Sequence, residues 1–219
     1  MTKAQKKGTP VQVLLTPNYI LATGKILTFL SPFLASRFAA WLFLKPFRYK
    51  LPAREKEMDD LFDQETEVYS FDAPAHGKSP GKMSMMPYFI DSIHLIDTKY
   101  GPFYGAIGHS LGGMSLLRAV KDGLTLQKLV IIGTANSVTH ITREFAQNMR
   151  LNLNVAKKMK SYFDRKFGED MDNLSGAFSA LNVENPTLVI HDEDDVDVHI
   201  SSAYEIKNNL KKGELFITK

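Results

Sequence analysis

The sequence of 219 residues contains no cysteine, and this absence excludes several kinds of chemistry. Without thiols the protein has no disulfide, no cysteine nucleophile and no thiolate-bound zinc. A chain without cysteine fits a reducing compartment, so we expect a cytoplasmic location. Hydrophobic residues make up 44% of the sequence and charged residues 23%, which is typical of one folded domain, alone or with a small insertion.

The features of a nucleic-acid-binding surface are also missing. The net charge is +3, and basic residues cluster at residues 3–7 and between residues 157 and 166. Neither cluster is interleaved with the aromatic and glycine residues that such a surface carries. We interpret both clusters as solvated, and we predict no nucleic-acid partner.

One apolar segment, residues 20–44, is long enough to span a bilayer but is interrupted. It contains Lys25 and Arg37, and Pro32 divides it because a proline inside a helix breaks it. No small-residue cleavage site follows, so a secretory signal is not indicated. We predict two amphipathic helices within residues 19–47, which lie on the domain or make peripheral contact with a membrane surface.

From residue 65 to the C-terminus, short β-rich runs alternate with helical runs. This rhythm predicts an α/β domain with a parallel sheet of about five strands and flanking helices. The predicted strands are 66–71, 103–107, 129–132, 187–190 and 214–218, and the predicted helices between them are 88–100, 111–120 and 203–210.

A long insertion at about 136–184 separates two of the predicted strands. Its apolar residues recur at helical spacing and it carries no β signal. We interpret it as a helical cap over the ends of the strands, with ordinary connecting helices as the alternative. The expected organisation is an N-terminal helical segment at 1–64 and a core with its cap at 65–219.

The segment GHSLGG at residues 108–113 follows a predicted strand and begins a predicted helix. A turn this tight forces Ser110 into a strained backbone conformation, and the small residues Gly108 and Gly112 let strand and helix approach closely. The serine then projects above a helix N-terminus, which favours negative charge. The backbone N–H of Leu111 is placed to donate to a developing oxyanion. A glycine-rich turn with an incidental serine is the alternative.

Two further segments have a recognisable pattern. The sequence DAPAHGKS at 72–79 follows the predicted strand at 66–71, and VIHDEDDVDV at 189–198 runs out of the strand at 187–190. Together with GHSLGG, in this order, they resemble the α/β-hydrolase superfamily of serine esterases, lipases and serine aminopeptidases. The resemblance covers residues 66–219 and implies an incomplete α/β-hydrolase core.

The resemblance assigns a role to each candidate site residue. It implies that Ser110 is the nucleophile and that the N–H of Leu111 binds the oxyanion. The family's acid comes four residues after the histidine that ends its strand, which selects Asp195, at the same end of the sheet as the serine. His76 and Ser79 are expected to hold their loop by hydrogen bonds. The implied reaction is hydrolysis of a carboxylic ester or related small acyl compound, with no cofactor and no metal.

Two parts of the family pattern are absent. The family carries its catalytic histidine after the last strand, whereas here the strand at 214–218 is followed only by Lys219. The family's opening strands have no counterpart before residue 65, where only helical sequence at 51–63 and a strand-like run at 11–15 occur. We expect a shortened member whose catalytic histidine is missing and whose exposed sheet edge permits self-association. The alternative is an inactive binding protein or a remnant of the fold.

The histidines and methionines near these motifs have less specific interpretations. His199 is the histidine nearest in sequence to Asp195, and it is the one weighed as a substitute base. His109 precedes Ser110 inside the tight turn, and we expect its side chain to point away from the serine. A group of methionines favours either an apolar acyl group or plain core packing. These are Met83, Met85, Met86, Met114 and Met149.

Overall fold

Four parallel strands form the sheet of the computed structural model, which describes residues 16–46 and 67–219. Their spatial order is the same as their order along the chain, and every neighbouring pair is parallel. The predicted parallel α/β sheet is therefore confirmed. The strands are Gly105–His109 (β1), Lys128–Ile132 (β2), Thr187–Asp192 (β3) and Gly213–Thr218 (β4).

Eight α-helices accompany the sheet in the described part of the chain. They are Asn18–Leu30 (α1), Pro32–Phe43 (α2), Met86–Tyr100 (α3), Leu111–Lys121 (α4), Val138–Asn148 (α5), Leu153–Phe167 (α6), Gly176–Ala180 (α7) and Ser201–Asn209 (α8). A 3₁₀ turn, Met171–Leu174, lies between α6 and α7. The predicted helix at 51–63 and the strand-like run at 11–15 lie outside the described residues.

One face of the sheet packs against α4 and α8, and α7 packs against both of these helices. Leu129, Ile131 and Val189 point from the strands into this layer, where they meet Leu117 and Ile206 of the helices. All five side chains are buried, and burying such a side chain contributes roughly 1.5–3 kcal/mol. This layer holds the strands in register.

The segment predicted as a fifth strand is not one. Residues 67–71 have no regular secondary structure, and β1 pairs only with β2 among the described residues. The ring of Tyr69 stacks on Tyr100 at 4.8 Å and contacts Phe103 edge-on, but the neighbouring side chains are exposed. β-branched and aromatic residues favour a strand only where a half-buried surface and a pairing partner exist, and this segment lacks both among the described residues.

The N-terminal apolar segment forms two helices, as predicted. Ser31 ends α1 in an extended conformation and begins α2, where its Oγ accepts from the N–H of Leu34 at 3.5 Å and Pro32 occupies the first turn. Neither these helices nor any other helix of the described ranges has the length and apolar character that crossing a bilayer requires.

The insertion between β2 and β3 is helical, as expected, and it shares a hydrophobic cluster with α2. Small residues of α2, including Ala35 and Ala39, allow α6 to approach, and Met159 and Phe163 of α6 fill the contact. Leu111, at the start of α4, packs on the same cluster. The insertion therefore reaches the end of the sheet where Ser110 lies.

The edge strand β1 carries an exposed apolar side chain, so we predict self-association through this edge. Ile107 is 73% exposed. The substitution Ile107→Lys should lower the weight-average mass that sedimentation velocity measures at high protein concentration.

The control is Leu95→Lys, because Leu95 on α3 is similarly exposed and gains the same charge. It should leave the self-association unchanged. A wild-type chain that stays monomeric at every concentration would show the prediction to be wrong.

Candidate active site

Ser110 occupies the turn between β1 and α4. Its backbone has φ 52° and ψ −119°, a conformation that costs a residue other than glycine about 1–3 kcal/mol. Main-chain hydrogen bonds hold it there: its N–H donates to the carbonyl of Ile132 at 2.8 Å, and its carbonyl accepts from the N–H of Met114 at 3.2 Å. The strained serine that the motif predicts is present.

Close contact between β1 and α4 produces this turn. A Cβ on Gly108 would lie 2.7 Å from the carbonyl carbon of Gly112 and 2.7 Å from Leu116 Cδ1. A Cβ on Gly113 would lie 2.1 Å from Thr134 Oγ1. A Cβ on Gly112 would meet nothing within 4 Å, so the prediction that Gly112 must be small is wrong. The approach of the two backbones requires glycine at Gly108, and the side chain of Thr134 leaves no room for a Cβ at Gly113.

The carboxyl ends of β1, β2 and β3 bring an acid to the same end of the sheet as the serine. The N–H of Ser110 donates to the carbonyl of Ile132, at the end of β2. The N–H of the next residue, Gly133, donates to the carbonyl of Ile190 in β3 at 3.0 Å. Asp195 lies in the loop that follows β3. Ser110 and Asp195 therefore lie at one end of the sheet, as expected.

The two oxygens of the Asp195 carboxylate differ in their hydrogen bonds. Oδ1 accepts from the N–H groups of Asp197 and Val198, each at 2.9 Å. Oδ2 lies 3.8 Å from Nε2 of His191, beyond hydrogen-bond distance. The side chain is 24% exposed. Asp195 is thus held in place by its own loop, and Oδ2 accepts no hydrogen bond from the residues that the structure describes.

His191 fastens the loop that carries the acid, a role that sequence reasoning missed. Its side chain is buried, and its Nε2 lies 2.7 Å from the carbonyl oxygen of Val198. This distance requires the proton on Nε2, since a carbonyl oxygen only accepts. Nδ1 has no hydrogen-bond partner among the described residues. The only signal in the sequence was the position of this histidine at the end of a buried strand.

His109 turns toward the acid, across Gly133. A Cβ built on Gly133 would lie 3.5 Å from Nε2 of His109 and 3.5 Å from Oδ2 of Asp195. The imidazole and the carboxylate therefore border the same small space, which exists because Gly133 has no side chain. Sequence reasoning placed His109 only relative to Ser110 and did not predict its position beside the acid.

The Leu111 N–H occupies the first position of α4. The N–H groups of a first helical turn have no acceptor within the helix, and the helix dipole adds positive potential there. An anionic oxygen bound beside Ser110 would meet this N–H, which is the arrangement that an oxyanion donor needs.

Solved structures show which fold this is. An α/β-hydrolase enzyme from a Medee basin deep-sea metagenome library matches with a TM-score of 0.55 and 12% identity, over 77% of this chain and 77% of that chain. The chain has the α/β-hydrolase fold. About a quarter of each chain has no counterpart in the other.

Two further solved structures are similar at lower TM-scores. A monoacylglycerol lipase from Paleococcus ferrophilus has a TM-score of 0.49 and 17% identity, over 69% of this chain and 73% of that chain. A lipase-esterase related protein from Clostridium acetobutylicum has a TM-score of 0.48 and 18% identity, over 66% and 71%. No protein-family model matches the sequence, and no curated protein matches it.

The last two strands of this α/β-hydrolase fold are joined beside the acid loop. Thr218 Oγ1 donates to Oδ2 of Asp192 at 2.8 Å, and the N–H of Asp194 donates to Oδ1 at 2.9 Å. These two bonds stabilise the carboxylate and lower the pKa of Asp192 below its ordinary value. The N–H of Glu193 donates to the carbonyl of Thr218 at 2.9 Å, so β4 braces the start of the loop.

The loop DAPAHGKS is fixed by hydrogen bonds within itself, as predicted. Ser79 Oγ donates to the carbonyl of Asp72 at 2.6 Å, and the Asp72 carboxylate accepts from the N–H of Lys78 at 2.8 Å. His76 Nδ1 lies 3.1 Å from the carbonyl of Pro74. His76 and Ser79 are therefore structural residues of the loop.

Two other histidines, His140 and His199, have partners away from the serine. His140 lies 3.0 Å from Glu144 on α5, and His199 bonds Ser201 Oγ at 2.8 Å. Within the ranges that the structure describes, the hydroxyl of Ser110 forms no hydrogen bond to any histidine.

The contact between β1 and α4 predicts opposite effects for two neighbouring glycines. Gly108→Ala should lower the free energy of unfolding by about 1–3 kcal/mol, because its methyl group overlaps the backbone of α4. Gly112→Ala is the matched control and should leave stability unchanged or raise it by up to about 1 kcal/mol, since alanine favours a helix. Urea unfolding followed by circular dichroism measures both, and equal losses would contradict the proposed contact.

Proposed function

We propose that the chain carries the nucleophile and the acid of a serine hydrolase that acts on carboxylic esters or related acyl compounds. Ser110 is the nucleophile, Asp195 is the acid, and the N–H of Leu111 binds the oxyanion. The observation that carries the proposal is the backbone of Ser110, at positive φ between β1 and α4. The packing of β1 against α4 holds this strained conformation, which presents the hydroxyl above a helix N-terminus.

The chemistry follows from the positions of these groups. The Ser110 hydroxyl attacks the acyl carbonyl, and the carbonyl oxygen becomes an anion that accepts from the N–H of Leu111. The alcohol leaves with a proton, and water then releases the acid from the acyl-serine. A base must take the hydroxyl proton and return it to the leaving group. Asp195 Oδ2 is the oxygen that would orient this base.

No base in contact with the Ser110 hydroxyl is found among the described residues of the proposed site. Loss of a triad base typically costs on the order of 10⁴–10⁶ in turnover, because the hydroxyl is a poor nucleophile. None of the six histidines bonds the Ser110 hydroxyl in the described part of the chain. We therefore infer that the 219-residue chain has the architecture of a hydrolase with little turnover of its own.

The alternative function is acyl-ligand binding without turnover. The observation that favours it is the same hydroxyl, which lacks a basic partner among the described residues. Four of the five methionines near the nucleophile elbow (residues 108–113) do not define a substrate pocket, since Met85, Met86, Met114 and Met149 are buried in the cluster that joins α2 and the insertion. Their arrangement supports core packing, so the substrate class rests on the acyl chemistry alone.

The purified chain should hydrolyse p-nitrophenyl acetate at a rate close to the uncatalysed reaction, and a fluorophosphonate probe should leave Ser110 unlabelled. Both outcomes follow from the missing base. Mass spectrometry of the intact protein and initial-rate assays measure them, with Ser110→Ala as the control.

Added imidazole separates the two functions. A hydrolase with a preorganised elbow should gain a rate with imidazole that Ser110→Ala does not gain, because the free base replaces the missing side chain. Equal rates for the two proteins at every imidazole concentration would favour the binding function. Probe labelling without imidazole would mean that a histidine has been recruited, and His109→Ala and His199→Ala would identify it.

A further inference from the structure

A basic cavity lies between α2 and α6, away from the elbow. It has a volume of about 160 Å³. On α2 two lining residues follow the first by three and four positions, and on α6 the intervals are three and four, so each set lies on one side of its helix. The lining residues are Phe33, Ser36 and Arg37 of α2 and Lys158, Ser161 and Arg165 of α6. Three cations and two hydroxyl groups meet there, and none of the described residues places a carboxylate in the lining.

The cations of this cavity are not neutralised within the described residues. No carboxylate of the described ranges lies within 4.0 Å of Arg37, Lys158 or Arg165. Lys160, on the same helix, shows the contrast, since it bonds Asp164 at 3.1 Å and Asp170 at 2.5 Å. Three uncompensated charges around one cavity attract an anion.

The guanidinium of Arg37 is already held in position. It lies 3.8 Å from the centre of the Tyr162 ring and 5.0 Å from that of Phe33. These cation–π contacts fix the side chain without using its hydrogen-bond donors on a carboxylate. An arginine held in this way suits phosphate, because its planar donors match two phosphate oxygens at once.

An exposed apolar surface adjoins the cavity. Phe29 of α1 is 91% exposed, and the side chains that follow it at the corner between α1 and α2 are also exposed. Trp41 lies further along α2, half exposed, with the Lys45 ammonium 5.0 Å from its ring centre. The exposed apolar side chains of this surface are Ile26, Phe29, Leu30, Phe33, Leu34 and Trp41.

We propose that the cavity binds the phosphate of an anionic phospholipid and that α1 and α2 lie in the surface of the membrane. Basic groups beside exposed aromatic and aliphatic side chains are the combination that binds a lipid interface. Free phosphate would satisfy the cations but would leave Phe29 and its neighbours exposed to water. A lipid surface satisfies both, and Phe33 belongs to both the cavity and the apolar surface.

Vesicle sedimentation of the full 219-residue chain tests the proposal. The chain should bind phosphatidylcholine vesicles that contain phosphatidylserine and bind pure phosphatidylcholine vesicles far more weakly. The double substitution Lys158→Gln with Arg165→Gln should reduce partitioning into the anionic vesicles by about 30-fold. Arg37 is left intact because its contacts with two rings also support the fold.

The matched control is Lys157→Gln with Lys166→Gln. It removes the same charge from the same helix, but neither residue lines the cavity. We expect a loss at least several-fold smaller than that of the cavity variant. Equal losses would show that only net charge matters, and that result would overturn the phosphate site.

A third variant tests the apolar surface. Phe29→Ser with Leu30→Ser should weaken binding to the anionic vesicles while thermal unfolding stays close to that of the wild type, since both side chains are exposed. Two results would overturn the lipid proposal. One is no binding to any vesicle. The other is a melting temperature raised by inorganic phosphate in the wild type but not in the cavity variant, without vesicle binding.

Discussion

The contact between the end of β1 and the first turn of α4 is the constraint on which the candidate site depends. With no side chain at Gly108, the strand passes directly beside the backbone of α4. The chain then has to reverse within one residue, and Ser110 absorbs the reversal at positive φ. The buried layer formed by α4 and the strands opposes relaxation of this turn, because moving the helix away would expose that layer to water.

The acid side of the site is held in a different way. Hydrogen bonds of polar groups define the shape of its loop. His191 holds its far end at Val198, Asp195 binds two N–H groups of its own loop, and Thr218 of β4 binds its beginning. The nucleophile is therefore positioned by packing and the acid by hydrogen bonds.

The features that the sequence predicted well depend on consecutive residues. GHSLGG defines a turn and VIHDEDDVDV defines a strand end, and both lie where the alternating pattern placed them. The failures concern relations between segments. Residues 67–71 have the composition of a strand but no partner, and composition does not report pairing. The rotation of α4 about its own axis decides which glycine of GHSLGG lies in the contact and must therefore be small. The approach of His109 to Asp195 depends on the register of three strands.

The four strands have the same order in the sheet as along the chain, and this order affects how the sheet forms during synthesis on the ribosome. In the described sheet, each new strand pairs with the strand synthesised just before it, which is then at the edge of the sheet. The sheet can therefore grow in the direction of translation. β3 is the exception in timing, because the whole helical insertion must emerge before it can pair with β2. Closing this longest loop carries the largest entropic cost of any strand pairing in the described sheet. Until then the paired β1 and β2 present an open edge to the cell.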